Sequence, residues 1–264
     1  MGETTDTTSG SPATRLPDVV QETAAEIARL LIAERTAAED GRGPSGTGAD
    51  ARDPDDPLLV AAFRVLGADA LAPALLRGLP VPTADLALAQ AARAAYVPAA
   101  DTAPVTAWSH WGLCAALDRV GGGGLAPQPD AAWVAREPWT SLAHPLARLS
   151  ALALPGVHCA LREEAARRPV DLARSFVRAV RRRDWPQAAG AARWLALLPG
   201  VPPTLGLDAG LAFVEQLGGA DARVLLQVRA ARLLRAARDD GAPGGGFPDG
   251  GPPDGGPAAA RSRA

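Results

Sequence analysis

Apolar positions along this chain recur mainly at helical spacing. Val20, Ala24, Ile27 and Leu31 follow a heptad rhythm, with Glu22, Glu26, Arg29 and Glu34 on the other faces. The pattern predicts an amphipathic helix over 17–39, with Pro17 and Asp18 suited to its first turn. Such a helix either packs on the rest of the chain or offers a dimerising or partner-binding face. Two heptads are too few for an independent coiled coil. Residues 1–16 are small, polar and rich in Thr and Ser; they are expected to be disordered. Residues 40–56 are rich in Gly, Asp and Pro and read as a flexible linker.

The main domain is expected over 57–239. Asp55 or Asp56 can cap a helix over 58–66, and a shorter piece containing Pro73 runs to Leu76. Thr83 can cap a helix over 84–96 that ends before Pro98. Pro104 opens another, closed by the glycines 121–124, which read as a hinge between helices. No strand precedes that glycine run and no Lys-Ser/Thr follows it, so it does not read as a phosphate loop. Farther on, Pro169 and Pro186 fall where first helical turns are expected, and Asp184 is placed to cap the helix after it. A last helix is predicted from about Ala220 to Arg238. The Gly/Pro-rich residues 240–264 are low-complexity and are expected to be a disordered tail.

Residues 142–238 contain an internal echo. Ala147-Arg148-Leu149 leads to Leu154-Pro155-Gly156-Val157, and Ala192-Arg193-Trp194 leads to Leu198-Pro199-Gly200-Val201, so the two Pro-Gly steps lie 44 residues apart. Phe176-Val177 after Asp171 recurs as Phe213-Val214 after Asp208. Helix pairs repeating at roughly 40–47 residues are the mark of a helical-repeat array. The expected fold is therefore all-α, an antiparallel helix-pair array of HEAT/TPR-like type.

Composition narrows the function. The 264 residues are 47% hydrophobic but only 4% aromatic, with two Ile, and neither Lys nor Asn occurs. Scarce β-branched and aromatic residues favour helix over sheet. The absence of Lys reflects a biased composition, so the arginine content is not by itself a nucleic-acid signal. A net charge of −2 gives no global attraction to phosphate or anionic lipid. No uninterrupted apolar run reaches the ~20 residues of a membrane span. The first residues have no basic-then-apolar signal pattern, and Asp6 stands where a myristoylation signal needs Ser or Thr. Two cysteines make no disulfide framework, which points to a reduced, cytoplasmic setting.

Candidate chemistry concentrates between residues 108 and 159. All three histidines, both cysteines and four of the six tryptophans lie there. His110 and Cys114 share a helix face, and His144, His158 and Cys159 could complete a tetrahedral set. No CxxC, HxxxH or HExxH is present, so neither a metal nor any other cofactor is expected. A buried, unreactive Cys114 is the favoured reading, ahead of a Cys-His nucleophilic pair. Trp108 and Trp111 also share a face; they belong either to the core or to a groove floor that stacks a ligand. Arg178, Arg181 and Arg182, with Arg174 a turn earlier and Arg183 just after, close a helix. They either complement its dipole or form a face for phosphate or carboxylate.

Residues 160–177, ALREEAARRPVDLARSFV, resemble one repeat of the HEAT-like alkylpurine DNA glycosylases. The resemblance covers these 18 residues, with a one-residue offset, and implies a helical-repeat fold. That family carries a Trp-Asp catalytic pair upstream, and the nearest piece here, Trp111-Gly112-Leu113-Cys114, has no acid in the corresponding place. The leading expectation is a scaffold or adaptor that binds a protein or peptide on a concave face. The second is an enzyme or small-molecule-binding protein with a site around 108–159. The third is a HEAT-like nucleic-acid-binding protein related to those glycosylases.

Overall fold

The computed structural model describes residues 12–32 and 52–241. The regular structure of the described residues is entirely helical, and they contain no strand. Helix α1 spans Pro12–Leu30, so it starts before Pro17 and carries that proline inside it. Residues 12–16, expected to be disordered, are thus helical, and the helix expected to reach 39 ends at Leu30 in a turn over 31–32, with residues 33–51 outside the described residues. Helix α1 buries Val20, Ala24, Ile27 and Leu31, the four residues of the heptad rhythm. It packs on α2 (Pro57–Leu66) and on the last helix, α12 (Ala222–Gly241), so its apolar stripe faces the core.

Local punctuation accounts for most helix starts. Asp56 Oδ1 accepts the Leu58 N–H at 2.8 Å to open α2, and Gly67, at φ +59°, turns the chain out of it. A 3-10 turn over Gly67–Leu71 then leads into α3 (Ala72–Arg77). Pro57–Arg77 as a whole is long and apolar enough to cross a membrane by length and composition, but 61% of that window is buried inside the fold. Helix α4 (Thr83–Ala95) uses Thr83 as its first helical residue, and no side chain caps it. The expected Thr83 cap is not formed because Pro82 takes the N-cap position. Arg52, expected within the linker, is held in place. It pairs with Glu26 of α1 and Asp85 of α4 and lies over the Phe63 ring.

Helix α5 (Pro104–Arg119) is followed by α6 (Ala132–Arg136) and α7 (Trp139–Arg148). Then come a 3-10 turn over Ser150–Leu152 and α8 (Ala160–Ala166), α9 (Pro169–Arg181), α10 (Trp185–Leu197) and α11 (Leu207–Gly218). Asp184 Oδ1 accepts the Gln187 N–H at 3.2 Å and starts α10 as its sequence implies. Consecutive helices pack as pairs, α9 on α10 and α11 on α12. Helix α10 also lies against α7 and α12, and α1 against α12 brings the two ends of the described chain together. In an open stack each pair would touch only its neighbours; here α10 is a hub.

Its composition suits that place. Ala188, Ala189, Ala191, Ala192 and Ala196 are buried on every side of α10. A Cβ added to Gly190 would sit 2.4 Å from the Ala147 carbonyl oxygen, so only glycine lets α7 approach this closely. A helix without a polar face must be enclosed. The exceptions are Arg193 and Trp194. Arg193 Nη1 donates to Asp69 Oδ1 at 2.5 Å and to Gln227 Oε1 at 2.8 Å, and Nε donates to Ala153 O at 3.3 Å. Gln227 Nε2 donates in turn to Asp69 Oδ2 at 2.5 Å. The cluster ties α10 to α12 and to the 3-10 turn after α2.

Candidate functional site

Helix α5 is the first place to look, because it carries Trp108, His110, Trp111 and Cys114. Both tryptophans are core residues. They meet edge to face with centroids 5.3 Å apart, and their indole N–H groups donate to the Asp130 and Ala126 carbonyls. Buried and satisfied in this way, they offer no ligand a stacking surface, which removes the groove-floor alternative for them. Gly112 sits on the same helix where a Cβ would fall 2.6 Å from a Leu152 methyl.

Cys114 is buried, and its Sγ lies 3.6 Å from His110 Nε2. Burial pushes the Cys114 thiol above its ordinary value, against the pull of Arg93 and Arg64. Burial also lowers the His110 value, and the same two guanidinium groups lower it further. Near neutral pH the pair is thus a protonated thiol beside a neutral imidazole, without the thiolate that nucleophilic chemistry needs. Cys159 is buried too, and burial raises its thiol in the same direction. His144 and His158 are exposed, and among the described residues no three His, Cys, Asp or Glu side chains converge on one point. Cys114→Ala is expected to cost on the order of 1 kcal/mol through a small cavity and to leave the metal content of the purified protein unchanged. Thermal melting measures the first, and a fall in metal content on mutation would contradict the second.

The arginines are in a different situation. Helix α9 buries Leu172, Phe176 and Ala179 on one side. Its other side carries Val170, Ala173, Arg174, Val177, Arg178, Arg181 and Arg182, the i, i+3, i+4, i+7 series of a single face. This face is one wall of an open groove of about 850 Å3. Trp139, at the start of α7, and Pro202, Thr204 and Leu205, ahead of α11, complete the lining. Val170 and Val177 are 49% and 45% exposed, large fractions for valines on a folded helix. The Arg178 guanidinium lies over the Trp139 ring, 5.6 Å from its centroid, a cation–π contact.

Charge in this groove is one-sided. Asp171 accepts from Arg168 at 2.6 Å and lies 3.5 Å from Arg174. Arg178, Arg181 and Arg182 have no carboxylate partner among the described residues. Part of the run complements the negative end of the α9 dipole. Arg183 follows in the left-handed region at φ +58°, the only described non-glycine residue there. Glycine usually fills such a helix-ending position, and an L side chain there costs roughly 1–2 kcal/mol.

A second, smaller pocket of about 130 Å3 opens over the buried Arg193 cluster. Asp69, Gln227, Ser109, Ser150 and His144 are among its lining residues. Ser150 is buried at the floor of this pocket. The sequence names Arg178, Arg181 and Arg182, which line the larger groove, and His144, which lines the smaller pocket apart from His110, Cys114 and His158. Sequence reasoning missed Trp139, Val170, Val177 and the 202–205 segment. The valines at 170 and 177, spaced i, i+7 and interleaved with Arg174 and Arg178, were the available signal. No protein-family model, curated protein or solved structure matches this chain.

Proposed function

We propose that this protein is a helical scaffold or adaptor that binds a protein or peptide partner in the groove along α9. The observation that carries the reading is the pair of half-exposed valines, Val170 and Val177, in a groove of about 850 Å3 edged by arginines. Apolar side chains held in a concavity with a polar rim are a general mark of a recognition surface. The echo between residues 147–177 and 192–214 supports reading part of the chain as two related helix pairs. The two copies differ in use: Phe176 is buried, whereas Phe213 is exposed and packs edge to face on Trp185. Duplication followed by divergence of one outward face fits a scaffold that presents a binding surface.

A display library of random peptides panned on the immobilised full chain tests the reading. Convergent sequences are expected whose binding is lost in Val177→Glu. Failure to converge, or convergence on peptides indifferent to Val177→Glu, would overturn it. A second reading, binding of a small polar molecule, draws on the pocket that Ser109, Ser150, Asp69 and Gln227 line. It makes a separate claim, because Ser150→Ala leaves the α9 groove intact.

A further inference from the structure

We infer that the partner segment is an acidic amphipathic helix that lies along the outward face of α9; this rests on the proposed groove reading and goes on to name the partner's chemistry. The face has two parallel tracks. Val170 and Val177, with the buried Ala173 at the groove floor between them, form an apolar track at i, i+3, i+7, the spacing at which one helix receives the apolar positions of another. Arg174, Arg178 and Arg182 form a basic track at successive i+4 steps, about 6 Å apart along the axis. A helix with carboxylates at i, i+4 repeats its charges at the same interval. An extended strand repeats same-face side chains at about 6.6–6.8 Å and falls out of register over the face.

Residues 170–182 span about 18 Å, so about three turns of a partner helix fill the groove. Arg178 and Arg182 have no carboxylate partner among the described residues, and an acidic segment supplies them. Trp139 and Leu205 make the groove walls partly apolar. A bare phosphate or a duplex backbone would satisfy the guanidinium groups and leave Val170 and Val177 in water. Pairing this face with a second copy of itself would set arginines against arginines.

The test uses the full chain and a labelled synthetic peptide of about 14 residues, three to four helical turns. The peptide carries leucines at i, i+3, i+7 and flanking glutamates at i, i+4. Fluorescence anisotropy should show saturable binding, at least about tenfold weaker when the glutamates are replaced by lysines. The double variant Arg178→Glu, Arg182→Glu should weaken the acidic peptide by a similar factor and bind the lysine peptide better than the parent chain does. That exchange separates recognition from misfolding, because a misfolded variant gains no partner. Absence of saturable binding, equal binding of both peptides, or equal binding of a peptide broken by two central prolines would overturn the inference. So would a short DNA duplex that binds more tightly than the acidic peptide, or self-association abolished by the same double variant. A library that converges on groove-binding peptides without carboxylates would leave the scaffold reading standing and remove this one.

Discussion

Replacing Arg193 by methionine is expected to destabilise the fold by about 3–5 kcal/mol, because it strips a buried carboxylate of its cation. Arg193 is 0% exposed and Asp69 is 2% exposed, so water cannot take the place of the lost guanidinium. Gln227 Nε2 remains bonded to Asp69, but one neutral amide does not balance a buried charge. Removing both charges should be milder. Asp69→Leu combined with Arg193→Met is expected to be more stable than Arg193→Met alone, since buried pairs replaced by apolar groups are often tolerated. The parent cluster is not perfectly satisfied either, as Arg193 Nη2 is buried with no partner among the described residues. Urea unfolding followed by far-UV circular dichroism measures the parent, Asp69→Leu, Arg193→Met and the double variant. A loss under about 1 kcal/mol in Arg193→Met would show that the pair is not closed in the folded protein.

Trp194→Ala should be of comparable size, about 3–5 kcal/mol. Trp194 is fully buried in α10, and its indole N–H donates to the Leu146 carbonyl of α7 at 2.7 Å. The deletion opens a large cavity between two helices and leaves that carbonyl with the Leu149 N–H alone, at 3.0 Å. Trp194→Phe separates the two effects, because it keeps most of the volume and loses the hydrogen bond, for about 1–3 kcal/mol. The Gly190 contact lies on the same α7–α10 crossing, so the cavity has little freedom to collapse. If Trp194→Ala costs no more than Trp194→Phe, packing at this crossing is not what holds α7 to the hub. Groove variants differ in kind, since exposed substitutions at Val177 or Arg178 are expected to move stability by no more than about 0.5 kcal/mol.

Legibility in the sequence was uneven in a physically consistent way. Residue type and spacing point to Asp55 or Asp56 and to Asp184 as caps, and Asp56 and Asp184 accept the expected backbone N–H. Thr83 had the same credentials and does not cap, because the proline before it occupies the capping position. The heptad rhythm of α1 identified its buried stripe but not the surface that covers it. That surface includes α12, where Gln21 Oε1 accepts the Ala222 N–H and so caps a helix 201 residues farther along the chain. The tryptophans at 108 and 111 were legible as a shared face, and only their neighbours place that face in the core. The arginine run was legible as a candidate anion surface; the valines that make the groove around it were not noticed.

The all-helical character and most helix starts were determined by the sequence itself, because propensity, proline geometry and capping act within one or two turns. Tertiary structure alone decided which residues are enclosed. It made Ala-rich α10 the hub and drew Arg193 to Asp69 across 124 residues. It buried Cys114 beside His110 and left Val170 and Val177 facing out along α9. Burial depends on which distant segments arrive to exclude water, and that information is not carried by any local pattern of residues.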